Sequence, residues 1–555
     1  MFETKKTDIL VIGGGGAGIK AAIAAAEQGR QVVLLSKGPL AKTGITPVAG
    51  EGIEGAVNAG DSVEMHFKDT VTAGRGLADQ DLARALAEDS VERIKELEAY
   101  GAKFKKKDDG TFATSVRPGQ SHSRNLFIMG GGWGLAASLH KKVAQLPNVF
   151  IIDSAVVTRF LVRDGRVIGV VYLNTNSGEI QVIQAKATLL ATGGYEELWP
   201  FTDTPPDATG ETLAMVYQVG AQLVDLEMVL YYPGVVVYPP AARGWLVQYE
   251  YILNPDILDG RVLNGQEEVF VEGFPARDEF IKAIREEVKK GTASPHGGFF
   301  VDLTHSKYPP AVLTERITAW LHQFGNLLNV GIDLRKDKLE MAPAAHYCLG
   351  GIKIDEHGRT NVPGLFAAGE ITGNVHGANR ISGNALSETQ VFGRRAALSA
   401  CQFAAKVDFL VVAAEQEVLT EYRQIDKWKQ DKEYAVRPIA LKSRLKTIMD
   451  QYVGLERNEE SLNTGLRKVR DLRKTLSFLK VVPHKRYCYE VQEAYEVRGM
   501  LALAEIVILS ALARQETRGH HFRTDYPQTE AEGQHTLISQ QQGEPKVTAI
   551  PVTKL

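Results

Sequence analysis

The hydrophobic pattern at the start of the chain predicts a strand, a glycine turn, a helix and a second strand. Asp8–Ile12 is apolar after its first residue, which is typical of a strand buried on both faces of a parallel sheet. Alanine dominates Ala17–Gln28, which favours a helix that packs closely on such a sheet. Gln31–Leu35 returns to a strand pattern. This order of elements predicts an α/β fold with a parallel sheet.

Periodic segments continue to a second strand end that is rich in glycine. Amphipathic patterns predict helices at Leu82–Tyr100 and Gly134–Gln145. The shorter apolar runs predict strands around Phe150 and at Val156–Val162, Val167–Asn174 and Ile180–Ile183. Ala187–Ala191 predicts another buried parallel strand, and it is followed at once by Thr192, Gly193 and Gly194.

Changes of periodicity divide the rest of the chain. A proline- and aromatic-rich stretch interrupts the regular pattern, which resumes at Gly350 and reaches another apolar strand at Gly364–Glu370. Charged helical patterns then follow at Glu415–Lys429, Pro438–Tyr452, Glu459–Leu479 and Tyr489–Arg514. The predicted units are a Rossmann-like dinucleotide-binding domain in two parts (1–233 and 346–406), an inserted α+β capping domain (234–345), a C-terminal helical domain (407–527) and a loose or docking tail (528–555).

Composition and charge exclude several classes of protein. The net charge of −3 gives no basic footprint for nucleic acid or an acidic membrane. No apolar run reaches the length of a membrane span, and no signal-peptide pattern precedes the first strand. We therefore expect a cytoplasmic protein whose only route to a membrane is through partners. Cys348, Cys401 and Cys488 are too scattered for a four-cysteine iron–sulfur cluster, and no metal site is predicted.

The glycine turn after the first strand predicts a dinucleotide site. Gly13, Gly15 and Gly18 satisfy GxGxxG between a strand and a helix, and Gly16 and Ala17 complete the turn. The first glycine permits the tight turn, the second lets the backbone approach a pyrophosphate, and the third allows close helix–strand packing. The helix N-terminus adds a positive dipole end.

The residues that end the other strands decide which dinucleotide is expected. Ser36 and Lys37 stand where an NAD-binding protein has an acidic ribose partner, although a serine can still bond a ribose or phosphate. The later ends at Ala191–Gly193 and Gly364–Glu370 are those of a flavoprotein with two dinucleotide-type segments. In such a protein both ends are expected to return to the cofactor, with Glu370 near the ribityl chain.

Four motifs in order resemble those of the succinate dehydrogenase and fumarate reductase flavoprotein family, which also contains L-aspartate oxidase. His346–Gly351 resembles HYxxGG, and His376–Arg380 with Asn384–Leu386 resembles HGANR…NSL. Pro275–Asp278 resembles the PRD element of the family's cap, and Glu516–Pro527 resembles its C-terminal ESRGxHxRxDYP. The resemblance covers nearly the whole chain.

The resemblance implies a reaction and its residues. The family moves a hydride between flavin N5 and one carbon of a C–C bond next to a carboxylate, while a proton moves at the other carbon. Arg277 is implied as the proton donor, and His346 and Arg380 as the clamp on a substrate carboxylate, roles that suit their charge and geometry. Further cofactor contacts are expected from Thr43, Gly44, Gly50, Glu51, Gly52, Val156, Ala191, Thr192, Gly193, Arg380, Asn384, Ala385 and Leu386.

Three departures from the family pattern change the expected chemistry. The stretch Lys42–Glu51 has no histidine for a covalent flavin bond, so we expect non-covalent FAD and chemistry biased toward reduction or oxidase activity. Tyr232 replaces a substrate-binding histidine and carries no positive charge. Glu250 keeps the position of the relay glutamate, but Leu253 stands where the relay arginine would be.

These departures leave three functional hypotheses open. The first is a flavoprotein subunit that reduces an activated C=C bond, or runs the reverse reaction, with electrons from an iron–sulfur partner. Its small carboxylate or enoate substrate is expected to carry a larger, less charged or aromatic second group. The second hypothesis is an L-aspartate oxidase-like enzyme, because His122-Ser-Arg124 resembles that group's HSRR. The third is an electron-transfer subunit whose ancestral substrate site is altered or idle.

Overall fold

A large parallel sheet with helices on its faces forms the first part of the structure. The computed structural model describes residues 4–50, 52–482, 484 and 486–555. The elements up to the first glycine-rich return are β1 (Thr4–Ile12), α1 (Gly16–Glu27), β2 (Val32–Leu35), β3 (Gly52–Glu54), α2 (Val63–Ala73), α3 (Gln80–Ala99), β4 (Thr114–Ser115), β5 (Asn125–Phe127), α4 (Gly131–Val143), β6 (Val149–Ile152), β7 (Ala155–Arg163), β8 (Arg166–Asn174) and β9 (Ile180–Leu190). The two strands predicted at 180–183 and 187–191 are thus one strand.

Strand order places the glycine turn at the centre of the sheet. The order is β6-β2-β1-β9-β8-β7, with parallel pairing from β6 through β9 and antiparallel pairing for β7 and β8. The next elements are α5 (Glu211–Gln218), β10 (Leu223–Val224), β11 (Val229–Tyr238), α6 (Tyr249–Ile252), β12 (Arg261–Leu263), α7 (Arg277–Lys290), β13 (Phe299–Asp302), α8 (Pro310–Trp320), α9 (Phe324–Asn329), β14 (Leu339–Cys348), β15 (Gly351–Ile352) and β16 (Leu365–Ala367). β16 pairs in parallel with β9, so the chain returns to the first sheet after the insertion.

The inserted segment is a mixed α/β unit on a four-stranded antiparallel sheet. Its order is β11-β14-β13-β12. The two long strands β11 and β14 cross the predicted segment boundaries at 233/234 and 345/346, so they connect the insertion directly to the cofactor-binding part. This pairing brings residues more than a hundred positions apart to one place in the fold.

Helices dominate the last third of the chain. They and the final short strands are α10 (Asn384–Ala404), α11 (Ala414–Lys429), α12 (Pro438–Val453), β17 (Glu456–Arg457), α13 (Glu459–Lys474), α14 (Tyr489–Ala513), β18 (Phe522–Arg523), β19 (Gln534–Gln541) and β20 (Glu544–Pro551). The bounds of α11 to α14 lie close to those of the predicted helices, except that 3₁₀ geometry takes over from α13 at Thr475–Phe478, whereas α10 was not predicted. Among the described helices, none combines the length and apolar content needed to cross a membrane.

Of the two alternatives predicted for the tail from residue 528, loose or docking, the loose one is wrong. β19 and β20 form an antiparallel hairpin, and β19 also pairs with β10 through Leu537 and Ile538. Its turn uses Gln542 and Gly543, both at positive φ, as two-residue hairpins with the twist of the strands require. The sequence concealed the hairpin because its outward side chains are polar and its partner strand lies some 300 residues earlier.

Candidate active site

One cavity joins the glycine turn to the inserted segment. Its walls come from the ends of β1, β2 and β9, the loop after β2, the end of β16, the start of α10 and the inserted sheet. Most predicted cofactor residues line it: Gly13, Gly15, Gly16, Ala17, Ser36, Lys37, Thr43, Gly44, Gly50, Gly52, Val156, Ala191, Thr192, Gly193, Glu370, Arg380, Ala385 and Leu386.

Among the described residues, two predicted cofactor residues are not part of this wall. Gly18 lies below the turn, where an added Cβ would fall 1.8 Å from the Gly13 carbonyl oxygen, so its role is close packing. Asn384 is buried under the start of α10, where its amide bonds Thr70 and its carbonyl oxygen bonds His66. Glu51 lies outside the described residues.

The geometry of the glycine turn fits a dinucleotide pyrophosphate. Gly13 has φ +123°, and a Cβ there would sit 2.0 Å from the Ala191 carbonyl oxygen. A Cβ on Gly15 would meet nothing closer than Thr46 Oγ1 at 3.4 Å, so this face of the turn is open. Gly15 is also the N-cap of α1 and supplies no side-chain cap. The Gly16 amide already donates to Thr46 Oγ1 at 2.9 Å, but the open glycine face at this helix N-terminus still suits a bound anion.

The end of β2 has an acidic partner that sequence analysis missed. Lys37 pairs with Glu211 at 2.7 Å and with Glu496 at 3.2 Å, and these carboxylates raise its pKa although burial opposes them. Its ammonium is therefore held within the protein. Glu211 begins α5 and also lines the cavity beside Ser36. A carboxylate at this position can accept hydrogen bonds from ribose hydroxyls. The sequence gave no sign of this role for Glu211, because the residue lies far from β2 along the chain.

Glu370 sits in a buried cluster of acidic groups. Its Oε1 accepts a hydrogen bond of 3.0 Å from the Cys348 amide. The ligating atoms of Glu370, Glu196 and Cys348 all lie within 4.8 Å of one another. Burial and the neighbouring Glu196 raise the pKa of Glu370 well above its ordinary value. A protonated carboxyl can donate as well as accept, which suits contact with a cofactor hydroxyl.

A β-bulge places His346 at the end of the cavity that the inserted sheet forms. Leu230 pairs with Tyr347 and Tyr231 with Ala345, so His346 is the extra residue on β14. Asp203 lies 2.8 Å from its Nδ1, and Arg380 Nη2 lies 3.3 Å from its Nε2. The Asp203 contact orients the ring and sets which nitrogen faces the cavity.

Arg380 is a buried cation without a counter-ion. It bonds only His346 and the carbonyl of Ile381 among the described residues, and its Nε has no partner. Burial and the neighbouring charge of Arg277 lower the pKa of Arg380 to about 10. A bound carboxylate would act against both effects, because its negative charge stabilises the charged form of Arg380.

Arg277 opens α7 and pairs with the predicted relay glutamate. Its Nη2 donates to Glu250 Oε1 at 3.1 Å, and its guanidinium lies 4.8 Å from the Tyr232 ring. Tyr232 donates to the other Glu250 oxygen. Although burial opposes it, Glu250 raises the pKa of Arg277. Arg277 Nη1 is buried without a partner, so one N–H group is available to a ligand.

Sequence analysis also missed Arg117. It is 4% exposed and lines the same cavity, and its Nη2 donates to the Tyr251 hydroxyl at 2.7 Å. It lies in a short loop after β4, where the sequence contains no recognisable motif. Arg124, from the His122-Ser-Arg124 stretch, is instead buried against Asp61 and Asp69 and does not line the cavity.

Comparisons with known proteins agree with this geometry. A family model described as FAD binding domain matches residues 8–386, and one described as fumarate reductase flavoprotein C-term matches residues 442–554. The chain belongs to this flavoprotein family. A fumarate reductase (CoM/CoB) subunit of Methanothermobacter marburgensis is 34% identical, with 98% of this chain and 99% of that protein covered.

Two further proteins, one similar in sequence and one similar in structure, support the same family. An L-aspartate oxidase of Vibrio cholerae is 30% identical, with 96% of this chain and 98% of that protein covered. A quinol fumarate reductase chain of E. coli superposes with a TM-score of 0.90 at 26% identity, covering all of this chain and 98% of the other. The flavoprotein described here therefore uses FAD and is an oxidoreductase that acts on CH–CH bonds, and the predicted fold class is confirmed.

Proposed function

We propose that this flavoprotein reduces a C=C bond next to a carboxylate, or runs the reverse reaction, and exchanges electrons with a separate iron–sulfur protein. The observation that carries the proposal is the single cavity that extends from the glycine turn to His346, Arg380 and Arg277. Cofactor and substrate groups open onto the same space, which direct transfer between them requires.

The substrate carboxylate binds between His346 and Arg380. Arg380 offers a planar fork to a carboxylate, and His346 adds a second donor on the same side. The charge of Arg380 also stabilises the negative charge that develops on the carboxylate as the double bond is broken. FAD, when bound, supplies the hydride to one carbon. Arg277 gives a proton to the other carbon, so the π bond is replaced by two C–H bonds.

Arg277 must regain the proton that it donates in each turnover, and because arginine is a weak acid in water, this role requires a relay that resupplies the proton. Glu250 and Tyr232 form a hydrogen-bonded chain from Arg277. A second cavity, lined in part by Arg75 and Glu279, reaches Glu250 and Arg277 from another side. This polar space supports a route for proton supply that does not need an arginine at position 253.

An iron–sulfur partner is proposed for two reasons. The three cysteines are buried and unpaired, so the described residues hold no cluster of their own. The Methanothermobacter relative is named as one subunit of its enzyme, which implies further subunits there. Electrons for substrate reduction therefore come from another chain in this proposal.

The test begins with acid treatment, which releases free FAD if the flavin is non-covalent. The holoenzyme is then reduced without oxygen, and flavin absorbance is followed after addition of 2-enoates or L-aspartate-pathway compounds. We expect reoxidation by an enoate and its loss in Arg277→Gln. Lys282→Gln, an exposed change on the same helix, is the matched control. Reoxidation by an added iron–sulfur protein but by no enoate would replace this proposal with the electron-transfer function.

A further inference from the structure

A buried carboxyl group lies directly behind the cavity wall, close to Arg380. Glu54 belongs to β3 and is fully buried. The wall in front of it is made of glycine. Gly52, on the same strand, lines the cavity, and so does Gly383, where an added Cβ would fall 2.6 Å from Glu54 Cγ. Gly383 follows Arg380 closely in the chain, so this wall belongs to the end of the cavity where the flavin and the substrate must meet for hydride transfer.

Glu54 has no charged hydrogen-bond partner among the described residues. The Gln120 amide donates to its Oε1, and its Oε2 has no hydrogen-bond partner. His66 Nε2 lies 3.6 Å from Oε2, but it bonds the side-chain oxygen of Asn384 at 2.8 Å. The other ring nitrogen of His66 is buried without a partner, and burial lowers the pKa of His66 to about 4. The imidazole is therefore neutral and does not balance a charge on Glu54.

The surroundings of Glu54 favour its protonated form. Burial is the largest influence and raises the pKa of Glu54 to about 8. Arg124, Arg117 and Arg380 lower this pKa without contacting the carboxyl, and Asp69 raises it. Arg124 bonds Asp69 instead. The other groups that face Glu54 from β5, α2 and α10 are the uncharged side chains of Asn125, His66 and Ser387. A buried carboxyl without a contacting cation changes its protonation readily when a new charge forms beside it.

We propose that Glu54 takes up a proton when the flavin is reduced and releases it when the flavin is reoxidised. The inference rests on the proposed function for the position of the flavin ring. Two electrons bring two negative charges to the flavin, and a proton on the ring nitrogen N5 offsets one of them. A second proton on Glu54 offsets the other, so that no net charge is added to the buried site.

The return step is balanced in the same way. On reoxidation the two electrons and the N5 proton leave together as hydride, and the Glu54 carboxyl gives its proton back to water. Gln120 is half-buried and bonds Glu54, so the surface nearest to the carboxyl lies on this side.

The test measures the midpoint potential of the flavin in the holoenzyme for wild type, Glu54→Gln and Glu54→Asp, from about pH 6 to about pH 9.5. At low pH Glu54 is protonated in both redox states, so wild type and Glu54→Gln should show the same pH dependence. Above about pH 8 the wild-type carboxyl is ionised beside the oxidised flavin. Uptake of one proton per two electrons should then make the wild-type potential fall more steeply than that of Glu54→Gln, by about 30 mV per pH unit.

Two further variants show whether the effect depends on a carboxyl at this position. Glu54→Asp keeps a titratable group and should keep the steeper fall. Glu64→Gln is an exposed change on α2 and should match the wild type. Infrared difference spectra of the wild type above about pH 8 should also show a protonated carboxyl appearing on reduction.

The wild type alone can refute the inference, even if Glu54→Gln does not bind FAD. A wild-type potential that does not fall more steeply above about pH 8 overturns it. A steeper fall that persists in Glu54→Gln also overturns it, because the proton then binds another group, such as Glu370. None of these measurements needs a substrate. Failure of every enoate to reoxidise the flavin would therefore refute the proposed function, whereas the potentials decide the role of Glu54.

Discussion

Replacing Arg514 with glutamine should destabilise the junction between the last helix and the C-terminal hairpin. Arg514 is 4% exposed and contacts three buried carboxylates, with distances of 2.9 Å to Asp225 and 2.8 Å to Glu516 and a further contact to Glu227. It also donates to Thr536 on β19 at 3.0 Å. The substitution leaves several carboxylates buried together without their shared counter-charge.

The size of the effect follows from the cost of breaking a buried ion pair, about 3–5 kcal/mol. By the scaling for domains of 150–250 residues, this lowers Tm by roughly 6–20 °C, and the lower half is expected for a longer chain. Arg470→Gln removes a half-exposed partner of Glu505 on the neighbouring helices and should shift Tm far less.

The pH dependence of the stability difference provides a more specific test of this prediction. Burial alone would raise the pKa of Asp225 and Glu516, but His535 and Arg514 lower that of Asp225, and Arg518 and Arg514 lower that of Glu516. Lowered values stabilise the fold above the unfolded-state pKa, near 4, and this stability is lost as pH falls through the folded-state values. Without Arg514 these carboxylates take up protons at higher pH. The loss of stability in Arg514→Gln, relative to the wild type, should therefore be largest at neutral pH and become smaller toward pH 4.5.

The assay is thermal unfolding of wild type, Arg514→Gln and Arg470→Gln across that pH range, with flavin release and tryptophan fluorescence as separate probes. If the Tm of Arg514→Gln lies less than about 2 °C below that of the wild type at neutral pH, other cations replace Arg514. A deficit that stays constant from neutral pH to pH 4.5 would show that its contribution is not electrostatic.

Three further outcomes are expected. Gly13→Ala should abolish FAD binding, measured as flavin content per chain, because its Cβ would overlap the Ala191 carbonyl oxygen at 2.0 Å; retention of flavin would mean that the turn can shift. Asp203→Asn should raise the KM for an enoate about tenfold through loss of the charged group that orients His346, while flavin content stays normal. Ile538→Asp should release the C-terminal hairpin, since Ile538 is fully buried against β10, and limited proteolysis should then cleave near it.

The linear pattern predicted much of the fold because its signals are local. The helices α11 to α14 begin and end within a few residues of their predicted bounds, since apolar periodicity and chain-breaking residues act over one or two turns. The hairpin at the C-terminus was missed because its buried positions are few and its partner β10 contributes only Leu223 and Val224 to the pairing.

The charged residues that line the cavity also divide into those that the sequence predicted and those that it did not. His346, Arg380 and Arg277 were expected from motifs that resemble those of the family, and the structure brings them to one cavity. The family motifs do not include Arg117. It faces Tyr251 only because the loop after β4 and the short helix α6 meet in the fold.

By itself, the sequence determined the family, the FAD-type glycine turn and the order of the structural units, because each is written in a short run of residues or in an ordered set of such runs. Only the tertiary structure decided which charges share a compartment: Glu211 with Lys37, Glu196 with Glu370, and Arg117 with Glu250. These pairs come from segments tens to hundreds of residues apart. Their proximity depends on how sheets and helices pack, so no local pattern in the sequence can encode it.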